Sequence, residues 1–200
     1  MSKPIVAIVG RPNVGKSTLF NKLIGERRSI VEDTPGVTRD RIYAEAEWGE
    51  HRFILIDTGG IEPKSDDTIL KQMRIQAEIA VSTADVIVFM CDIKAGLLAD
   101  DRDIAIMLKK SGKPIIPVVN KMDKIGDVPA EYYEFYELGF ERDPISLSSL
   151  HGTGSGDLLD AIIEECDFSE GDVTEEGVIN VAVIGKPTVI SRYRGGCSGR

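Results

Sequence analysis

Residues 10 to 17 read Gly-Arg-Pro-Asn-Val-Gly-Lys-Ser, the GxxxxGK[ST] pattern, directly after the apolar run Ile5-Val6-Ala7-Ile8-Val9. The chemistry such a loop can do is to hold phosphate. Backbone N–H groups from Asn13 to Thr18 can curl around a β-phosphate at the positive end of a helix predicted to start at about Ser17. Gly10 and Gly15 permit a close approach that a Cβ would obstruct, and Arg11, Pro12 and Val14 complete the cradle. Lys16 can reach the β- and γ-phosphates, and the Ser17 hydroxyl suits Mg²⁺.

A second set of residues bears on the base. Ile115-Ile116-Pro117-Val118-Val119 ends in Asn120-Lys121-Met122-Asp123. The Asp123 carboxylate can accept from the N1–H and 2-amino group of guanine. Adenine offers no donor at either place and would leave the carboxylate unpaired, at about 1–3 kcal/mol or more. Asn120 can fix the loop and the base edge while the stem of Lys121 covers the ring face. About a hundred residues after a phosphate loop, this motif points to GTP.

Two further loops complete the candidate site. His51-Arg52-Phe53-Ile54-Leu55-Ile56 reads as an edge-to-interior strand and delivers Asp57-Thr58-Gly59-Gly60, followed by Ile61. Asp57 would hold Mg²⁺ through a water, and the Gly60 N–H could sense the γ-phosphate. In the polar stretch Thr34-Pro35-Gly36-Val37-Thr38-Arg39-Asp40, Thr38 is the candidate for a second hydroxyl on Mg²⁺.

These loops need strands and helices to aim them. Helical stretches are predicted near Ile75–Ala80, Asp103–Lys110, Glu131–Leu138 and Leu158–Glu165, alternating with strands at Val86–Cys91, before Asn120, and near Pro144–Leu147. That alternation predicts an α/β fold, a mostly parallel sheet with helices on both faces. All the motifs then fall in loops after strands, where such sheets bind ligands. Tyr132, Tyr133, Phe135 and Tyr136 form a stripe at helical spacing that reads as packing, and Cys91 as core.

The sequences GRPNVGKS, PGVTRD, DTGG and NKMD, in this order and spacing, resemble the Era-like group of GTPases. The finer resemblance is to the bacterial Der (EngA) ribosome-assembly GTPases, which carry two GTPase domains in tandem. It covers Pro4 to about Pro187 and implies a P-loop NTPase fold of the Ras-like G-domain kind. It also matches the family's Ser-Ala-x-His-Gly base loop to Ser148-Ser149-Leu150-His151-Gly152, with a backbone N–H facing guanine O6. A register using Ser146 is the alternative. Ile61 stands where many small GTPases place a water-orienting glutamine and can neither donate nor accept. GTPases resembling this one, with an asparagine at the place of Asn13, often use K⁺ to stabilise charge on the β–γ bridging oxygen. The resemblance therefore implies slow hydrolysis stimulated by K⁺, with Asn13 as its side-chain ligand and Lys16, Thr38 and Gly60 serving the transferred phosphate. The related tRNA-modification and Era-type GTPases, or a GTP-binding module with negligible turnover, are the alternative readings.

Val181-Ala182-Val183-Ile184-Gly185-Lys186-Pro187 repeats Val6-Ala7-Ile8-Val9-Gly10-Arg11-Pro12. Between the two lies Glu164 to Gly177, with seven acidic residues and no basic ones, a solvated linker. The expected organisation is a GTPase domain over 1–166, a linker over 167–177, and the first strand of a truncated second domain over 178–187. Residues 188–200 contain no Gly-Lys-Ser and read as a non-native tail, or otherwise as the basic tail of a single-domain protein.

The formal charge of −9 argues against this domain wrapping RNA through a broad basic surface, and no feature suggests DNA. The large ribosomal subunit is a partner implied by resemblance. No run approaches the roughly 20 apolar residues of a membrane span. Three scattered cysteines suit a reducing cytosol rather than a disulfide framework or metal site.

Overall fold

The structure is a computed structural model, and it describes residues 3–25, 42–60, 69–123 and 128–168. The expectations for Thr38 and its loop, for Ile61, and for residues 169–200 lie outside the described residues.

The elements in chain order are β1 (Ile5–Gly10), α1 (Lys16–Ile24), β2 (Ile42–Trp48), β3 (His51–Asp57), α2 (Ile69–Thr83), β4 (Val86–Asp92), α3 (Ala99–Lys109), β5 (Ile115–Asn120), β6 (Ile145–Ser146) and α4 (Ser155–Glu165). The sheet runs β2-β3-β1-β4-β5-β6. Only the β2–β3 pairing is antiparallel; every other neighbour is parallel.

The near-continuous apolar runs follow from burial on both faces. With a side-chain period of two, Val6, Ile8, Val86, Val88 and Met90 pack on one face with Leu19 and Phe20 of α1 and Leu158 and Ile162 of α4. Ala7, Val9, Ile87, Phe89 and Cys91 pack on the other with Met73, Ala77 and Ala80 of α2 and Ile104 and Leu108 of α3. Cys91 is core, and burial pushes its thiol well above its ordinary pKa.

Two features depart from the sequence reading and a third refines it. β3 is not an edge strand, because β2 lies outside it, joined by a hairpin whose Gly49 has φ 60° and whose register pairs Trp48 with His51. β2 escaped notice because its inward positions are Ala44 and Ala46, interleaved with Glu45 and Glu47. Alanine and glutamate carry little strand signal of their own. The helix expected near Glu131–Leu138 is present over Ala130–Leu138 and is of the 3₁₀ kind, which the sequence reading did not specify. Its three-residue turn places Tyr132, Phe135 and Leu138 in the core and leaves Tyr133 and Tyr136 exposed and stacked on each other.

Candidate functional site

Among the described residues, the loops after β1, β3, β5 and β6 leave their strands at the same end of the sheet. At the end of β1 the chain turns under β4 so closely that a Cβ on Gly10 would lie 2.4 Å from the Met90 carbonyl oxygen. Asn13 follows with φ 64° and Gly15 with φ 102°, so the loop winds through the left-handed region before α1 begins at Lys16. A Cβ on Gly15 would meet Asn120 Nδ2 at 2.4 Å. The Asn13 side chain is exposed, as are Pro12, Ser17 and Thr18, while Val14 is buried beneath the loop.

Lys16 is buried, and its Nζ donates to the carbonyl oxygens of Gly10 and Arg11, both at 2.7 Å. The ammonium is thus held inside the curl of its own loop. Burial pushes its pKa down to about 8, with the Asp57 carboxylate pulling the other way. Ser17 Oγ donates to Asp57 Oδ2 at 2.7 Å, while Gly59 N–H donates to Asp57 Oδ1 at 2.8 Å. Two hard oxygen donors, one hydroxyl and one buried carboxylate, therefore meet beside the lysine. That donor set fits Mg²⁺, which takes one or two protein oxygens and keeps waters and phosphate for the rest. Gly60 closes the single 3₁₀ turn that follows Asp57.

Two of the expected contact residues turn their side chains elsewhere. Thr58 is fully buried and donates to the Ile8 carbonyl at 2.6 Å. Arg11 is buried, and its Nε donates to Asp101 Oδ1 and Oδ2 at 2.9 and 3.1 Å. Asp101, in the first turn of α3, also accepts the Leu98 N–H at 3.1 Å. Burial raises the Asp101 carboxyl above its usual pKa, and the Arg11 guanidinium opposes that shift. What Arg11 and Thr58 offer to a ligand is backbone.

The base-side loops converge on Asn120, which is buried at the end of β5. Its Nδ2 donates to the Val14 carbonyl at 2.7 Å, and its Oδ1 accepts from Ser149 N–H and Ser149 Oγ, both at 2.9 Å. One side chain thus ties the phosphate loop to the loop after β6. Asp123 Oδ1 accepts from Ser148 Oγ at 2.8 Å. Met122 N–H donates to the Leu147 carbonyl at 3.0 Å, and Leu150 is exposed at the rim. It is Ser148, two residues beyond β6, that meets Asp123, and Ser149 that meets Asn120.

Lys121 has φ 67°, unusual for a residue with a side chain. Its Nζ lies 2.6 Å from Asp92 Oδ2, and Asp92 Oδ1 accepts the Lys94 N–H at 2.9 Å. Lys94 Nζ in turn lies 2.6 Å from Asp123 Oδ2. Asp92, Lys94 and Asp101 were missed in the sequence. The available signal was position: Asp92 ends β4 in register with Asn120, so the loop after it had to share the same rim.

Against this geometry stand the comparisons with known proteins. The chain is 60% identical over 189 residues to the GTPase Der of Acetivibrio thermocellus, covering 94% of this chain and 43% of that protein. It is 59% identical to the GTPase Der of Clostridium botulinum over the same shares. The chain therefore spans less than half the length of these relatives. Among solved structures, the Era protein of Aquifex aeolicus, bound to GDP and aluminium fluoride, aligns at a TM-score of 0.64. It is 35% identical, and the alignment covers 84% of this chain and 58% of that one. The G domain of FeoB from Methanococcus jannaschii aligns at 0.57 with 26% identity, over 82% of this chain and 98% of that one. A family model described as 50S ribosome-binding GTPase matches residues 5–121, from the first strand through Lys121. With more than half of its length matched, and with the phosphate loop, Asp57 and Asn120 placed as above, the chain belongs to the 50S ribosome-binding GTPase family.

Proposed function

We propose that this domain binds GTP and GDP with Mg²⁺ and hydrolyses GTP slowly, as a switch in assembly of the large ribosomal subunit. The observation that carries the reading is the side chain of Asn120. It fastens the phosphate-holding loop to the strand end that bears the Asp123 carboxylate, so one ligand with a polyphosphate and a guanine edge would span both.

In this reading the N–H groups from Asn13 to Thr18 bind the phosphates, and Lys16 swings its donors from the Gly10 and Arg11 carbonyls toward the β- and γ-oxygens. Ser17 and Asp57 would hold the Mg²⁺, with Thr38 completing the set. The ion supplies charge neutralisation on the phosphates. Asp123 reads N1–H and the 2-amino group, Lys121 covers one ring face, and the backbone around Ser149 and Leu150 faces O6. Gly60 N–H senses the γ-phosphate. Asn13, exposed and aimed by its left-handed backbone, would be the side-chain ligand of K⁺ at the β–γ bridge.

The ribosomal role rests on the family's description and on the relatives' names, and a tandem second GTPase domain on the repeat at Val181–Pro187. A cytoplasmic site of action follows from the ribosomal partner. Among the described residues no helix is long and apolar enough to cross a membrane.

The test is phosphate release from GTP in matched KCl and NaCl with Mg²⁺, with ATP as control, on wild type, Asn13→Ala and Asp123→Asn. GTP-only turnover that rises in K⁺, loses that rise in Asn13→Ala, and shifts from guanine to xanthine nucleotides in Asp123→Asn is expected. Equal use of ATP, or unchanged guanine preference in Asp123→Asn, would overturn the base assignment. An intact K⁺ response in Asn13→Ala would overturn the cation site.

A further inference from the structure

The end of β4 carries Asp92 and Lys94, and the end of β5 carries Lys121 and Asp123, two residues apart in each case and opposite in order. The strands are adjacent and parallel, with Asp92 in register with Asn120. The four charges therefore pair crosswise, Lys121 with Asp92 and Lys94 with Asp123, each at 2.6 Å. Lys94 belongs to none of the nucleotide motifs. Its backbone is fixed by donation of its N–H to Asp92, and its side chain is mostly exposed, so nothing about the core requires a cation there.

A carboxylate has about four acceptor positions on its two oxygens. At Asp123, one on Oδ1 is filled by Ser148 Oγ and one on Oδ2 by Lys94 Nζ. Among the described residues nothing fills the other two, one on each oxygen, which is the number and separation that the N1–H and 2-amino donors of guanine require. The Ser148 hydroxyl and the Lys94 ammonium grip the carboxylate from opposite oxygens and fix its rotation. We propose that Lys94 is a positioning residue for guanine recognition, clamping Asp123 in the plane that leaves one acceptor on each oxygen facing the base. The inference rests on Asp123 being the base reader. The Lys94 pairing is also the foremost influence holding the Asp123 carboxyl below its usual pKa. Lys94 would remain bound when the nucleotide enters rather than be displaced by it.

The experiment is a titration of GDP, IDP (which lacks the 2-amino group) and ADP into wild type and the variants Lys94→Arg, Lys94→Met and Lys94→Glu. It is accompanied by thermal unfolding and by kcat and KM for GTP. Lys94→Met is expected to weaken GDP by about threefold to fivefold, the scale of one exposed charge contact. IDP should weaken less than GDP, because rotation of the carboxylate out of plane disturbs the 2-amino hydrogen bond, which IDP never makes. Lys94→Arg should restore GDP binding, and Lys94→Glu should weaken it beyond Lys94→Met. KM should rise with kcat unchanged, and the unfolding midpoint should hold. Tighter GDP binding by Lys94→Met would mean that Lys94 competes with guanine, and unchanged binding that it is a surface ion pair; either overturns the proposal. Asp123→Asn titrated with GDP and XDP alongside wild type separates the two levels. If it fails to exchange guanine for xanthine preference, the base assignment itself is wrong. If it exchanges them while Lys94→Met is silent, only the clamp is wrong.

Discussion

The buried pair of Arg11 and Asp101 is the firmest place to test how the phosphate loop is held. The two side chains are 10% and 0% exposed, and the guanidinium's other contact, to the Gly96 carbonyl, is long at 3.4 Å. Asp101→Ala would leave a guanidinium without its counter-charge under the phosphate loop. Breaking one side of such a pair costs about 3–5 kcal/mol. The substitution also removes the acceptor for Leu98 N–H at the start of α3, and with it the carboxylate at the positive helix end. Against a whole-domain stability of about 5–15 kcal/mol, about a fifth of the total or more is at stake. Urea unfolding followed at Trp48, the sole tryptophan, and by far-ultraviolet circular dichroism should show the midpoint fall accordingly.

The paired replacement Arg11→Met with Asp101→Leu should behave differently. Both charges then leave together, neither is left desolvated, and stability should return to within about 1.5 kcal/mol of wild type. The double-mutant cycle closed with the single variants Arg11→Met and Asp101→Leu should therefore give a coupling of about 2 kcal/mol or more. The Arg11 carbonyl that holds Lys16 belongs to the backbone, so GDP binding should recover in the double variant if the pair's role is support. An Asp101→Ala protein less than about 1 kcal/mol below wild type would refute this reasoning. So would a double variant no more stable than the single one.

The other expectations are more local. In Gly15→Ala, the new Cβ meets Asn120 Nδ2 at 2.4 Å on a backbone at φ 102°, so GDP affinity should fall by at least about tenfold, as when strain and a broken hydrogen bond combine. Circular dichroism should find the sheet intact, and retained affinity would mean the two loops do not touch. Burial raises the Tyr132 hydroxyl to about 12 from its ordinary 10, and it donates to the Pro144 carbonyl. A folded-state pKa above the unfolded one means stability is fully present below pH 10 and is lost as pH rises toward 12. Unfolding midpoints measured across that window should decline in wild type and lose that component in Tyr132→Phe.

The parallel core was legible because strands buried on both faces must be apolar at every position, and Ile5–Val9, Val86–Cys91 and Ile115–Val119 are. β2 was not, because its inward side chains are alanines and its partner in the hairpin, not its own composition, makes it a strand. The helix near Glu131–Leu138 was legible, but its 3₁₀ form was not, because Tyr132 and Phe135 are three apart, a spacing both helix types allow. Within the site, motifs identified residues by type but not by direction. Arg11 and Thr58 lie inside nucleotide motifs, yet their side chains face Asp101 and the Ile8 carbonyl. Lys94 lies outside every motif and touches Asp123. Direction depends on which strands are neighbours, and that is a property of the sheet order rather than of any one loop.

Among the described residues, two that bear side chains have positive φ, and they mark where the fold holds the site against its own preferences. Asparagine visits the left-handed region readily, so Asn13 at φ 64° costs little, and a glycine there would lose the amide. Lysine does not, and Lys121 at φ 67° carries about 1–2 kcal/mol of steric cost that glycine would avoid. Glycine would also discard the stem that can cover a ring face and the ammonium that pairs with Asp92. The strain is held from both sides: β5 pairing fixes Asn120 before it, and the Met122 N–H bond to Leu147 fixes the chain after it. Asn120 then transmits that placement to Val14, so the base loop and the phosphate loop cannot shift independently. A ligand that satisfied only one of them would leave the other's preorganised groups without partners. A rigid tie between two loops thereby becomes selectivity for one molecule carrying both a polyphosphate and a guanine edge.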